Sequence, residues 1–182
     1  MMKRLSLIAA SSMCVLLAGC VVPMTGTYPA PNTQLGEVQD WRMPLYREPG
    51  RIDVKLRVVK GSSTQVALET NNEVEQAPIQ VLFGGSSSSN KLESSVRYST
   101  ESGVFAFKYF GKTLDRNSDV NLRIEWDENM RVSVTVDGEV LQVKPHTSFG
   151  KLRLFSKTGS IEVKEVKYEK MADAAENKMG AE

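Results

Sequence analysis

The chain has 182 residues, with 23 lysines and arginines against 22 aspartates and glutamates, one histidine and two cysteines. Such an even balance excludes a nucleic-acid partner, which draws on a basic excess. It also leaves no polybasic patch for anionic lipid.

Lys3 and Arg4 open the chain, and Leu5 to Leu17 is apolar apart from small residues such as Ser6 and Ser11. A positive start, a short apolar run and small residues at its end make a secretory signal. About 13 apolar residues are too few to span a bilayer, which takes roughly 20. Leu17-Ala18-Gly19-Cys20 resembles a bacterial lipobox. The resemblance implies a diacylglycerol thioether on Cys20, cleavage just before it and acylation of the new amino terminus. Several acyl chains anchor stably where one does not. Cys14 is then discarded, the mature chain keeps one lipidated cysteine, and an internal disulfide is excluded. Removing the signal takes away two basic residues and leaves a formal charge of −1. Val21 stands where an Asp tends to hold enterobacterial lipoproteins on the inner membrane. The resemblance therefore points to the outer membrane, on its periplasmic face, with the inner membrane or the cell surface as alternatives.

Cys20 and the Pro- and Gly-bearing residues up to Gly36 read as a tether, 20–36, behind the signal peptide, 1–19. Residues 37–170 suit one domain with one core. The polar stretch 171–182 reads as a tail. Within the domain, apolar residues recur at every second position. Ile52, Val54, Leu56 and Val58 alternate with Asp53, Lys55 and Arg57. Leu122, Ile124 and Trp126 alternate with Arg123 and Glu125, and Val132, Val134 and Val136 with Ser133 and Thr135. Alternation buries one face of a strand and wets the other. Turn signals cut these runs into strands near 38–46, 51–60, 64–70, 78–84, 92–99, 103–110, 120–127, 130–136, 139–143, 150–156 and 160–168. Asp137-Gly138 is the sharpest signal and predicts a type I′ hairpin. Ile161 and Val163 share one parity while Val166 and Tyr168 take the other, which predicts a β-bulge near Lys164-Glu165. Many antiparallel strands without a helix-period stripe predict an all-β sandwich or barrel.

Val120 to Tyr168 resembles the late strands of concanavalin A-like (laminin-G-like, glucanase-like) jelly rolls, on Trp126-Asp127, Val136-Asp137-Gly138 and the closing run Val163 to Tyr168. The resemblance implies an antiparallel β-sandwich of jelly-roll type. From Ile52 to Phe110 it rests on strand order alone.

Hydrolases of that fold carry Glu-x-Asp-x-Glu on one strand, so that two carboxylates flank a sugar bond. Here Glu125-Trp126-Asp127-Glu128-Asn129 lacks the third carboxylate, and it lies too late in the strand order. Glu125 and Asp127 read as strand and turn residues, and no catalytic residue is assigned. His146 sits alone in a loop, no Gly-x-Ser-x-Gly elbow occurs, and the Gly84-Gly85 and Ser86–Ser89 run reads as a flexible connection. The oxygens of Asp115-Arg116-Asn117-Ser118-Asp119 read as a solvated turn, so no metal or cofactor is assigned. Val104 to Phe110 is the most aromatic stretch. Lys108 has the parity opposite to Phe105, Phe107 and Tyr109, which assigns that row to the core. Should the row face outward, Trp41, Tyr98 and Tyr109 are the aromatics to consider for ligand binding. The expectation is a non-enzymatic lipoprotein, membrane-held through Cys20, that binds glycan or an envelope protein. The alternatives are a glycoside hydrolase of the same fold with a displaced site, or a structural subunit of an envelope assembly.

Overall fold

A computed structural model describes residues 32–33, 35–59, 63–70, 77–86, 88–158 and 160–171. The period-two segments become two antiparallel sheets. The first runs β1 (Asn32–Thr33), β14 (Ile161–Lys170), β4 (Gly50–Val58), β10 (Asp119–Trp126), β11 (Val132–Val136), β12 (Glu139–Val143), with β2 (Gly36–Val38) also on β14. The second runs β3 (Asp40–Pro44), β13 (Lys151–Ser156), β5 (Thr64–Glu69), β6 (Ile79–Gly84), β7 (Lys91–Ser99), β8 (Phe105–Tyr109), with the short β9 (Leu114–Asp115) on β7. We call them the first and second sheets.

The alternating apolar residues of β4, β10 and β11 face inward as expected, and together with the apolar residues of the second sheet they fill the space between the sheets. Ile52, Leu56, Leu122, Ile124 and Trp126 from the first meet Leu68, Ile79, Phe83, Leu92, Leu152 and Leu154 from the second, all with essentially no exposed surface. Burying such side chains stabilises by about 1.5–3 kcal/mol each. Asp137 and Gly138 both have positive φ, 43° and 90°, and Val136 pairs with Glu139 across a two-residue loop, as a type I′ turn requires. The register between β14 and β4 shifts between Val163 and Glu165, so the bulge falls at Lys164 and returns Val166 to the core.

Three expectations are corrected. The strand expected near 38–46 is two: β2 pairs with β14, and after Gln39 the chain crosses to the second sheet, where β3 pairs with β13. The segment expected as a tether, 20–36, overlaps the first sheet at its far end, because Asn32, Thr33 and Gly36 already pair with β14. The Gly84-Gly85 connection is held, not loose. Arg116 is buried and donates to the carbonyls of Gly85 (3.1 Å), Ser86 (3.3 Å) and Ser89 (3.0 Å). A Cβ on Gly85 would lie 2.7 Å from the Lys91 carbonyl oxygen, so the loop lies against the start of β7 too closely for a side chain.

Candidate functional site

Residues directly opposite in an antiparallel ladder share a face. The register therefore gives the outer face of the second sheet as two cross-strand rows. One reads Arg42, Arg153, Ala67, Gln80, Arg97, Phe107; the other reads Asp40, Phe155, Gln65, Leu82, Ser95, Tyr109. Phe105 continues β8 on the same face, opposite Ser99. Phe107 is 48% exposed and Tyr109 68%, and their rings lie nearly parallel with centroids 6.5 Å apart. The Arg97 guanidinium lies 3.8 Å from the Phe105 ring centroid and donates to Gln80 Oε1 at 3.0 Å. At the other end, Arg153 lies over Phe155 at 4.5 Å and donates to both carboxylate oxygens of Asp40 at 2.8 Å. That ion pair, with a second bond to Glu69, holds the Arg153 proton more firmly than usual. The β6–β8 end thus offers apolar ring faces beside an amide and a guanidinium fixed in orientation. Such a surface matches a ligand with an apolar face and a hydroxyl rim.

This arrangement overturns the assignment of the Phe105 row to the core. β8 is the last strand of its sheet, so its inner parity meets the seam of the sandwich and not its middle. Lys108 does face inward there, but its Nζ reaches across the seam to donate to the Gln142 carbonyl of β12 at 2.6 Å. A long stem with its head at the rim fits an inner position on an edge strand. Of the three aromatics named as ligand candidates, only Tyr109 joins the platform. Trp41 and Tyr98 take the inner parity, half-buried, and pack against the core. Cys20 lies outside the described residues.

The outer face of the first sheet is a lattice of ions. Asp119 accepts from Arg57 at 2.9 Å and from Lys164 at 2.9 Å, and the hydrogen bonds from Lys164 and then Arg57 hold its carboxyl down at about 2. Arg123 donates to Asp53 at 2.6 Å, and that bond raises its affinity for its proton. Two open grooves meet at Glu125. One, of about 390 Å³, is lined by Lys55, Asn121, Arg123 and Thr135 among others; the second, of about 340 Å³, by Asp127, Arg131, Ser133 and Gln142 among others. Asp127 is committed to its turn, where Oδ1 accepts from the backbone of Asn129 (2.9 Å) and Arg131 (2.8 Å). Asp115 pairs with Lys91, away from the cations around Asp119, and His146 is exposed in its loop. Among the described residues no group of three or more metal-ligating side chains occurs, and no helix is long and apolar enough to cross a membrane.

No family model matches the chain. No curated protein matches it in sequence either. Solved structures do match in shape. A family 18 polysaccharide lyase aligns with a TM-score of 0.57 at 11% identity, over 71% of this chain and 78% of its own. An alginate lyase from an Alteromonas species aligns at 0.55 and 12% identity, over 71% and 77%. A galectin of Caenorhabditis elegans aligns at 0.56 and 11% identity, over 79% and 99%. The chain has the concanavalin A-like jelly-roll fold. At these identities the likeness is one of fold alone.

Within the jelly roll, sequence reasoning missed Phe107, Arg97, Gln80 and the Arg153–Phe155 pair. Period two separates two faces of a strand without naming the inner one. On β8 the charged residue sits inside and the rings outside, which reverses the usual cue. Lys91, Glu93 and Arg97 carry a usable signal, since their charges mark one parity of β7 as outer. Carried across the ladder, it would have placed Phe107 outside.

Proposed function

We propose that this chain is a non-enzymatic envelope lipoprotein, anchored through Cys20, whose jelly roll binds glycan on the outer face of β6–β8. One observation carries the reading: Phe107 and Tyr109 stand exposed and nearly parallel beside Arg97 and Gln80, on a face that the core does not need. Exposed ring faces next to a few fixed polar groups are what a sugar needs for stacking and for orientation. The platform is open, so binding is shallow, with side-chain donors and acceptors in place of a metal. The lipobox-like Leu17-Ala18-Gly19-Cys20 supports the anchor, and Val21 supports an outer-membrane address. The missing third carboxylate at Asn129 and the engagement of Asp127 with its own turn support binding over hydrolysis.

The test is a glycan array probed with the chain from residue 21 onward, alongside Phe107→Ala and Tyr109→Ala. Binding that falls at least tenfold in both variants, with unchanged melting curves, is the expected result. Binding that ignores both rings refutes the platform. Sugar release by the wild type that vanishes in Glu125→Gln replaces the binding reading with an enzymatic one.

A further inference from the structure

Among the described residues the two sheets have four open sides, lined by the short β1 and β2, by β12, by β3, and by β8 beside the short β9, and an exposed edge is a template for another strand unless something blunts it. Three are blunted. β1 has only two residues. β3 carries Asp40, Arg42 and Pro44. On β12, the outward carbonyl of Gln142 is taken by Lys108 Nζ, and the Glu139 carboxylate binds the backbone N–H groups of Gly111 (2.7 Å) and Lys112 (3.0 Å).

β8 is different. The bonds Phe110 N–H to Ser94 (3.1 Å) and Thr100 N–H to Val104 (3.0 Å) bracket the β7–β8 ladder at even positions of both strands. Since hydrogen-bonded and non-bonded pairs alternate, Ala106 and Lys108 spend their backbone groups on β7. The N–H and C=O groups of Phe105, Phe107 and Tyr109 then point off the sheet, and no backbone partner meets them among the described residues. An inward lysine would ordinarily guard such an edge, but Lys108 is diverted to Gln142. Exposed apolar residues also gather here, with Val104 just before β8 and Phe107 and Tyr109 on it.

We propose that β8 pairs with β8 of a second copy, antiparallel about a two-fold axis at Phe107, joining two second sheets into one. The sequence Phe105-Ala106-Phe107-Lys108-Tyr109 is self-complementary in that register. Phe107 faces Phe107, Phe105 faces Tyr109 of the second copy, and Ala106 faces Lys108, so no like charges oppose. Aromatic cross-strand pairs are among the favourable ones, and each opposed pair of outward residues exchanges two main-chain bonds, about six in all. A two-fold contact of this kind closes on itself and stops at the dimer. It also sets the two aromatic platforms side by side on one face.

The experiment uses the chain from residue 21 onward without any sugar, and so is independent of the glycan reading. Light scattering across the micromolar range should give twice the monomer mass. Hydrogen exchange should show the amides of Phe105, Phe107 and Tyr109 protected at high concentration and fast at low, while Ala106 and Lys108 stay protected throughout. Phe107→Pro removes an N–H that no internal bond uses, and should return the chain to a monomer. A monomeric wild type, a dimer that persists in Phe107→Pro, or fast exchange of the three amides within a dimer overturns the proposal. If Phe107→Pro fails to fold, the exchange pattern of the wild type decides alone. A monomer that still binds glycan refutes the dimer and leaves the platform standing, and a dimer blind to every glycan does the reverse.

Discussion

Trp126 and Gly50 are predicted to be coupled strongly enough to measure. The Trp126 ring is 1% exposed, stacks on Tyr168 with centroids 6.1 Å apart, and meets Phe149 edge-on at 5.4 Å. Its Nε1–H donates to the Glu48 carbonyl at 2.8 Å. Truncation to alanine removes the burial and leaves a cavity, for about 3–5 kcal/mol. Gly50 lies beneath the ring, where an added Cβ would stand 2.6 Å from Trp126 Cζ2 and 3.2 Å from the Glu169 carbonyl oxygen. Gly50→Ala therefore overpacks, at about 1–3 kcal/mol. In the double variant the methyl enters the space the indole has left, and most of that second cost disappears. The costs should fall short of additivity by about 1–2 kcal/mol, within the range seen for residues in contact. Urea melts of the four proteins, with equal m-values, give the cycle. Strict additivity, or a Gly50→Ala variant as stable as the wild type, would show that the ring and the glycine backbone are not in the contact described.

Asp119 binds its proton only near pH 2 when folded, against about 3.9 in a free chain. The lowered value makes its contribution to stability present above about pH 4 and progressively lost as pH falls toward 2. Asp119→Asn should flatten that part of a pH–stability profile, and an unchanged acid limb refutes the ion lattice around it. Gly85→Ala should destabilise by about 1–3 kcal/mol in thermal melts, because the loop cannot withdraw from Lys91 without loosening the Arg116 bonds. Glu125→Gln, on the outer face, should move stability by less than about 0.5 kcal/mol. Cys20→Ser should abolish incorporation of labelled palmitate; equal labelling of the variant refutes the lipobox reading.

Much of the fold was legible because its core is written in simple alternation. Each strand expected from residue 51 onward exists, and even the parity slip between Val163 and Val166 marked the bulge that resolves it. The Asp-Gly turn was legible because few residues accept positive φ twice in succession. The switch of sheet at Gln39 was not, since a strand reads the same whichever sheet receives it. The candidate site was legible only as a cluster of aromatics. Its direction depends on β8 being last in its sheet, a fact of topology that Phe105 to Tyr109 do not carry locally. Arg116 was hidden for the opposite reason. It occupies a turn that reads as solvated, yet three carbonyls from a remote loop fold over it.

The middle of the first sheet also governs how the chain reaches this state. β4 forms early in the sequence but lies between β10 and β14, and side chains that meet across those ladders are 62 residues apart at Arg57–Asp119 and 118 apart at Arg51–Glu169. No central hairpin forms locally around it, so loop-closure entropy must be met before its contacts return anything. Until the last ten-residue strand is available, β4 has one open flank. The topology therefore predicts slow folding, with the first sheet closed only once β14 pairs with β4. Removing β14 should therefore cost the first sheet more than the loss of an edge strand, because it leaves a central strand unpaired along one whole side.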